Sequence, residues 1–193
     1  MSHRKTDPMP VITDDEFAEG IRAALHDRTR LPPDNVSIGI TGTREILGHC
    51  QQQSLGMLIS AMYRESTGYR QFHHGCCVGT DECGHYLASE IPGVQIHGHP
   101  GYGISKNAPY RMNIRPGMLS VIHPEKPYKD RNQDIVTACK LLLACPRYPE
   151  HDQRSARSGT WQTIRFARNT RKPVILILPS GSIMHEHRGV NQQ

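Results

Sequence analysis

No apolar run in this chain approaches the roughly 18–20 residues needed to span a bilayer, and residues 1–10 carry charge without an apolar core. Neither a membrane span nor a secretory leader is therefore expected, and the cytoplasm is the expected compartment. No internal repeat is visible. Six cysteines are present, at Cys50, Cys76, Cys77, Cys83, Cys139 and Cys145. They fall inside apparent secondary structure and lack the regular loop spacing of a disulfide framework, which favours a reduced, buried set. The G-x-S-x-G and HExxH elements are absent, as are the strict G-x-G-x-x-G and P-loop patterns. No cofactor is expected on that ground. Potential metal ligands are dense at His73, His74, Cys76, Cys77, Cys83, His85, His97 and His99, and again at His185, Glu186 and His187. No pair shows a zinc-finger spacing joined to a second matching pair, so no metal site is expected.

What is there is a chain of 193 residues, 36% hydrophobic, with a formal charge of +5. That length suits one domain that buries its own core, expected over residues 13–181, with flexible tails at 1–12 and 182–193. The basic excess mildly favours an anionic partner.

The chain is organised as short apolar runs, each stopped by glycine or proline and followed by a helix-like stretch. Residues 36–40 (VSIGI) end at Thr41-Gly42-Thr43-Arg44, after which Leu47, Leu55, Leu58, Ile59 and Met62 recur at near-helical spacing. Residues 69–74 read as a weaker strand ending at Gly75-Cys76-Cys77-Val78-Gly79, with Asp81 expected to cap the following helix. Strands are expected at 94–97, 141–144 and 174–178 (VILIL), and helix at 159–170 and at a segment ending over 134–138. A helix over residues 14–26, with Phe17, Ile21 and Leu25 on one stripe, is expected to pack on the sheet edge. Strands alternating with helices imply right-handed crossovers and a parallel sheet. The expected fold is Rossmann-like α/β, three layers around a mostly parallel sheet. Residues 100–129 are rich in Gly, Pro, Tyr and basic side chains, and a stretch of that kind is often functional.

Ligands of open parallel sheets bind beyond the C-terminal strand ends, where three glycine-bearing turns should converge. At Gly39 to Arg44, Gly42 lets backbone approach a ligand, Thr43 adds a hydroxyl and Arg44 a bidentate phosphate contact. At His74 to Asp81, Gly75 and Gly79 would bring amides near the strand ends, and Asp81 and His85 stand four residues apart on one helical face. At Arg157-Ser158-Gly159-Thr160, hydroxyls, amides and a helix dipole point the same way, which suits phosphate. Trp161, the single tryptophan, either packs beneath the site or stacks on a base. Arg131 and Asn132, at a helix start after a proline-rich loop, are expected to reach the same cleft. Each turn alone is also an ordinary strand-to-helix connection that binds nothing.

Together these turns resemble the SLOG superfamily, which includes the LOG cytokinin-activating phosphoribohydrolases (the lysine-decarboxylase-like proteins) and the DprA/Smf DNA-processing proteins. Stand-alone bacterial and phage-type members are the most similar, through His73-His74-Gly75, Arg131-Asn132 and Ala144-Cys145-Pro146. Gly42-Thr43-Arg44 looks like the G-S/T-R turn of that group. Gly79 to His85 is similar to the DprA-like G-x-D-x-x-A-H, with Gly84 in place of alanine, and Arg157 to Thr160 resembles its S-G-T turn. The resemblance implies a nucleotide-binding Rossmann-like domain, often dimeric. It implies that Arg131 stands where LOG enzymes carry their catalytic arginine, but the glutamate position falls on Thr163, and residues 147–157 interrupt the P-G-G junction. Asp81 or Asp134 would have to supply the carboxylate that stabilises an oxocarbenium ion or activates water.

The leading expectation is binding of a nucleotide or nucleotide-derived phosphorylated ligand, as sensor or hydrolase. An N-glycosidic phosphoribohydrolase, with Arg131 and Asp81 catalytic, is the second, and DprA-like binding of single-stranded DNA the third.

Overall fold

The computed structural model describes residues 35–64, 66–103, 111–115 and 117–185. The helix expected over 14–26 lies outside the described residues. The described chain runs β1 (Val36–Gly42), α1 (His49–Arg64), β2 (Arg70–His74), α2 (Thr80–Ser89), β3 (Val94–Gly98), β4 (Gly101–Tyr102), β5 (Val121–Ile122) and β6 (Lys126–Pro127). It continues through α3 (Tyr128–Ala138), β7 (Leu141–Cys145), a 3-10 turn (Gln153–Arg157), α4 (Gly159–Asn169), β8 (Val174–Ile177) and β9 (Ile183–His185).

The main sheet has seven strands in the order β5-β3-β2-β1-β7-β8-β9. Its pairs are parallel except β8 with β9. This is the doubly wound, Rossmann-like α/β arrangement expected from the alternation. The tail expected from residue 182 is corrected in part, because β9 closes the sheet edge with Ile183 opposite Ile177. Within residues 100–129, β5 pairs with β3, while β4 and β6 form a separate two-stranded ladder leading into α3.

The continuous apolar strands are explained by helices on both faces. In β7, Leu141, Leu143 and Cys145 face one cluster with Ile38, Ile40 and Phe72, covered by Leu55, Leu58 and Ile59 of α1 and Ala88 of α2. Leu142 and Ala144 face the other way, onto Ile135 and Val136 of α3 and Trp161, Ile164 and Ala167 of α4. Packing is tight where α3 crosses β1: a Cβ on Gly39 would lie 2.7 Å from Cys139 Sγ.

The chain leaves β1 toward β2 on one side and reaches β7 on the other. The strand order therefore reverses between β1 and β7, and the crevice of such a sheet opens at their C-terminal ends.

Candidate functional site

At that crevice lies a cleft of about 500 Å³, within the size range of small-molecule sites. The β1–α1 turn supplies Gly42, Thr43 and Arg44, α3 supplies Arg131 and Asn132, and the start of α4 supplies Ser158, Gly159 and Thr160. Arg157 at the end of the 3-10 turn and Asp81 of α2 complete the expected residues that line it. Gly75 and Gly79, expected as ligand contacts, do not. A Cβ on Gly75 would overlap Arg131 Nη1, and one on Gly79 would lie 2.6 Å from Thr43 O. Gly79 has φ +79°, and the next amide, Thr80 N–H, donates to Thr43 O at 3.0 Å. Both glycines act behind the cleft wall, admitting Arg131 and the β1–α1 turn.

Arg131 and Asp81 form the buried heart of the wall. Their side chains are 6% and 9% exposed, and Arg131 Nη1 lies 3.5 Å from Asp81 Oδ2. Arg131 Nη2 also reaches Cys77 Sγ at 3.4 Å, and the guanidinium sits over the Tyr128 ring. Asp81 is not the helix cap it was expected to be. Gly79 holds that position, and Asp81 Oδ2 accepts from Cys77 N–H at 3.2 Å. Burial pushes the Asp81 carboxyl up, against the opposing pull of Arg131 and the Cys77 and Gly75 amides. Burial alone would weaken the Arg131 cation, but Asp81 beside it and the neighbouring thiols raise its pKa. Nor does Asp81 pair with His85. His85 Nδ1 lies 3.2 Å from His74 Nε2, while His74 Nδ1 accepts from Cys76 N–H.

The opposite wall is built by α4. Ser158 is its N-cap, its hydroxyl accepting from Trp161 N–H at 3.4 Å. The first-turn amides of Gly159 and Thr160 have no acceptor within a helix, and a Cβ on Gly159 would meet nothing within 4 Å. Trp161 packs beneath the site, 2% exposed, and donates from Nε1 to Tyr148 O at 3.0 Å. It is not a stacking platform.

Three side chains that sequence reasoning missed, Arg147, Tyr148 and Arg154, come from the segment between β7 and α4. Arg147 pairs with Glu45, and Arg154 with Asp152 at 2.6 Å, its guanidinium 3.7 Å from the Tyr148 ring centre. Arg44 sits over Tyr128 on the other side. The lining contains five arginines and two carboxylates, Glu45 and Asp81, with Arg131, Arg147 and Arg154 paired to Asp81, Glu45 and Asp152. Such a cleft favours an anion that several planar donors can grip.

The alternative acids are elsewhere. Asp134 pairs with Lys126 at 2.6 Å. Thr163, at the LOG glutamate position, is 3% exposed and returns its hydroxyl to Gly159 O at 2.9 Å.

No protein family and no curated protein matches the chain in sequence. Eight solved chains match it in structure. The molybdenum cofactor binding protein of the phototrophic bacterium Rippkaea orientalis superposes with a TM-score of 0.51 at 20% identity, over 77% of this chain and 78% of that one. This likeness shows the fold. The single-stranded-DNA-binding DNA processing protein A of Helicobacter pylori gives a TM-score of 0.47 at 14% identity, over 75% of this chain and 65% of that one. The structural-genomics target TM1055 gives 0.48 at 14% identity, over 75% and 74%. Among the described residues, no helix is long and apolar enough to cross a membrane.

Proposed function

We propose that the chain is a SLOG-like domain that binds a nucleotide or nucleotide-derived phosphorylated ligand in the cleft between β1 and β7. The observation that carries this reading is the meeting of five arginines with the open first turn of α4 in one pocket of nucleotide size. Phosphate oxygens would take the Gly159 and Thr160 amides and the Arg157 guanidinium, where the α4 dipole also favours negative charge. Arg44 would close over the ligand from the β1–α1 side.

Thermal-shift screening tests this against nucleoside mono- and diphosphates, ADP-ribose, NAD and cyclic dinucleotides. At least one should raise the melting temperature, with saturation confirmed by calorimetry. A flat response to all of them at millimolar concentration rejects the reading.

A second reading, N-glycosidic hydrolysis of a nucleoside monophosphate, is favoured by Asp81, the one buried carboxylate of the cleft lining. A carboxyl raised by burial suits proton donation to a leaving base. Release of free base by the purified protein, lost in Asp81→Asn, is the expected result. No base release from any monophosphate leaves binding alone. Binding is the stronger reading, because Asp81 is already committed to Arg131 and the Cys77 amide.

A further inference from the structure

A second cluster of polar side chains lies to one side of the β1–β7 crevice, on β2, β3 and the end of β5. His73 and His97 are register partners on β2 and β3, and His123 N–H donates to Gly98 O just beyond β5. Because side chains alternate along a strand, His97 and His99 emerge on one face, beside His73. One ring nitrogen each from His73, His97 and His123 lies within 4.8 Å of the others. No other His, Cys, Asp or Glu of the described residues joins that group.

Hydrogen bonding within the cluster is incomplete. His73 Nδ1 lies 3.0 Å from His99 Nε2, and His97 Nδ1 lies 3.2 Å from His123 Nε2. Those contacts leave His73 Nε2, His97 Nε2 and His99 Nδ1 buried with no hydrogen-bond partner. A neutral imidazole offers one donor and one acceptor, and unpaired polar nitrogens in the interior are costly. A single occupant that accepts the lone pairs of His73 and His97 would satisfy two of these three nitrogens.

We propose that His73, His97 and His123 form a three-imidazole site for a divalent transition-metal ion of the zinc class, with His99 as the positioning partner of His73. Imidazole suits zinc, copper, iron and nickel, whereas magnesium and calcium favour oxygen. Small ring rotations bring the three nitrogens to the roughly 3.3 Å spacing that ~2.0–2.1 Å bonds give on a tetrahedral ion. Three protein ligands leave the fourth position to water or an added anion. The His73 to His99 contact has the arrangement in which a ligand's second nitrogen fixes its tautomer and orientation. The ligands arrive on successive βα units, so no finger-type spacing announces them. This proposal does not rest on the nucleotide reading.

The test uses full-length, tag-free protein stripped with EDTA and titrated with Co²⁺, then Zn²⁺. One equivalent of Co²⁺ per chain should give visible d–d absorption that Zn²⁺ abolishes, and Zn²⁺ should raise the melting temperature. His123→Ala, at a half-buried position, and His97→Gln should lose the absorption. His99→Phe should weaken binding by about 10–100-fold at unchanged stoichiometry. His151→Ala and His187→Ala should bind as the wild type does. Absence of a stoichiometric Co²⁺ signal overturns the proposal, as does unchanged binding in His97→Gln and His123→Ala. Should a variant fail to fold, X-ray absorption on the Zn²⁺-loaded wild type decides: three imidazoles per ion are expected, and fewer reject the site.

Discussion

The Arg131 guanidinium fills the space where a side chain at Gly75 would stand, with Nη1 overlapping an added Cβ and Nη2 2.8 Å from it. The missing side chain at position 75 is what lets an arginine from α3 reach Asp81 on α2. Gly75→Ala should therefore expel Arg131 and leave Asp81 buried without its cation. Breaking a buried pair in this way costs about 3–5 kcal/mol. Urea denaturation should show a lower midpoint at unchanged slope. A midpoint equal to the wild type's would mean that the guanidinium has another place to go, and would remove the packing argument.

The same pair predicts a pH dependence. In Arg131→Met, burial still raises the Asp81 carboxyl while its largest opposing influence is gone. The folded variant then holds a proton that the unfolded chain, near the ordinary carboxylate value, has released. Across that window the folded state binds more protons, so stability falls as pH rises. The deficit of Arg131→Met relative to the wild type should thus be largest at pH 7 and shrink as the pH is lowered toward 4. Parallel stability curves for the two proteins would show that Asp81 does not sense Arg131.

Much of this arrangement was legible from residue patterns, and the failures share a cause. The runs LLLA and VILIL announced strands covered on both faces, and clusters from α1 and α2 on one side and α3 and α4 on the other confirm it. The Arg157 to Thr160 turn announced a helix start facing the crevice, because Ser158 is a strong cap whatever surrounds it. Gly75 and Gly79 are expected to meet a ligand closely, and neither lines the cleft. What they meet is Arg131 and the β1–α1 turn, a long-range fact that no local pattern encodes. Arg147 and Arg154 were missed because residues 146–157 have no periodicity, and their position depends on Tyr148 O accepting from Trp161. The histidines of the proposed metal site come from neighbouring strands, so no single-turn spacing displays them.

Arg157 separates affinity from stability on the cleft's outer wall. Its side chain is exposed and its place is on the rim. Arg157→Ala should leave the melting temperature within about 1 °C of the wild type, since substitutions at such positions usually fall within ~0.5 kcal/mol. Loss of a charge-assisted contact to phosphate is worth about 1.5–3 kcal/mol, so nucleotide affinity should drop roughly 10- to 100-fold. Calorimetry with whichever nucleotide gives the largest thermal shift checks both halves. Unchanged affinity would move the phosphate away from α4.

Gly159 gives the sharpest test of where the ligand's anion sits. A methyl group there meets no protein atom within 4 Å and the backbone angle is an ordinary one, so the fold has no objection to it. Alanine at a compatible position reduces the freedom of the unfolded chain and stabilises by about 0.4–1 kcal/mol. Yet the same methyl group would project beside the Gly159 and Thr160 amides, where a phosphate must approach to accept from both. Gly159→Ala should therefore melt slightly higher than the wild type while binding nucleotide at least about 10-fold more weakly, a loss of roughly 1.4 kcal/mol. Higher stability with full affinity would place the anion among Arg44, Arg147 and Arg154 instead, and would take the α4 dipole out of the binding argument.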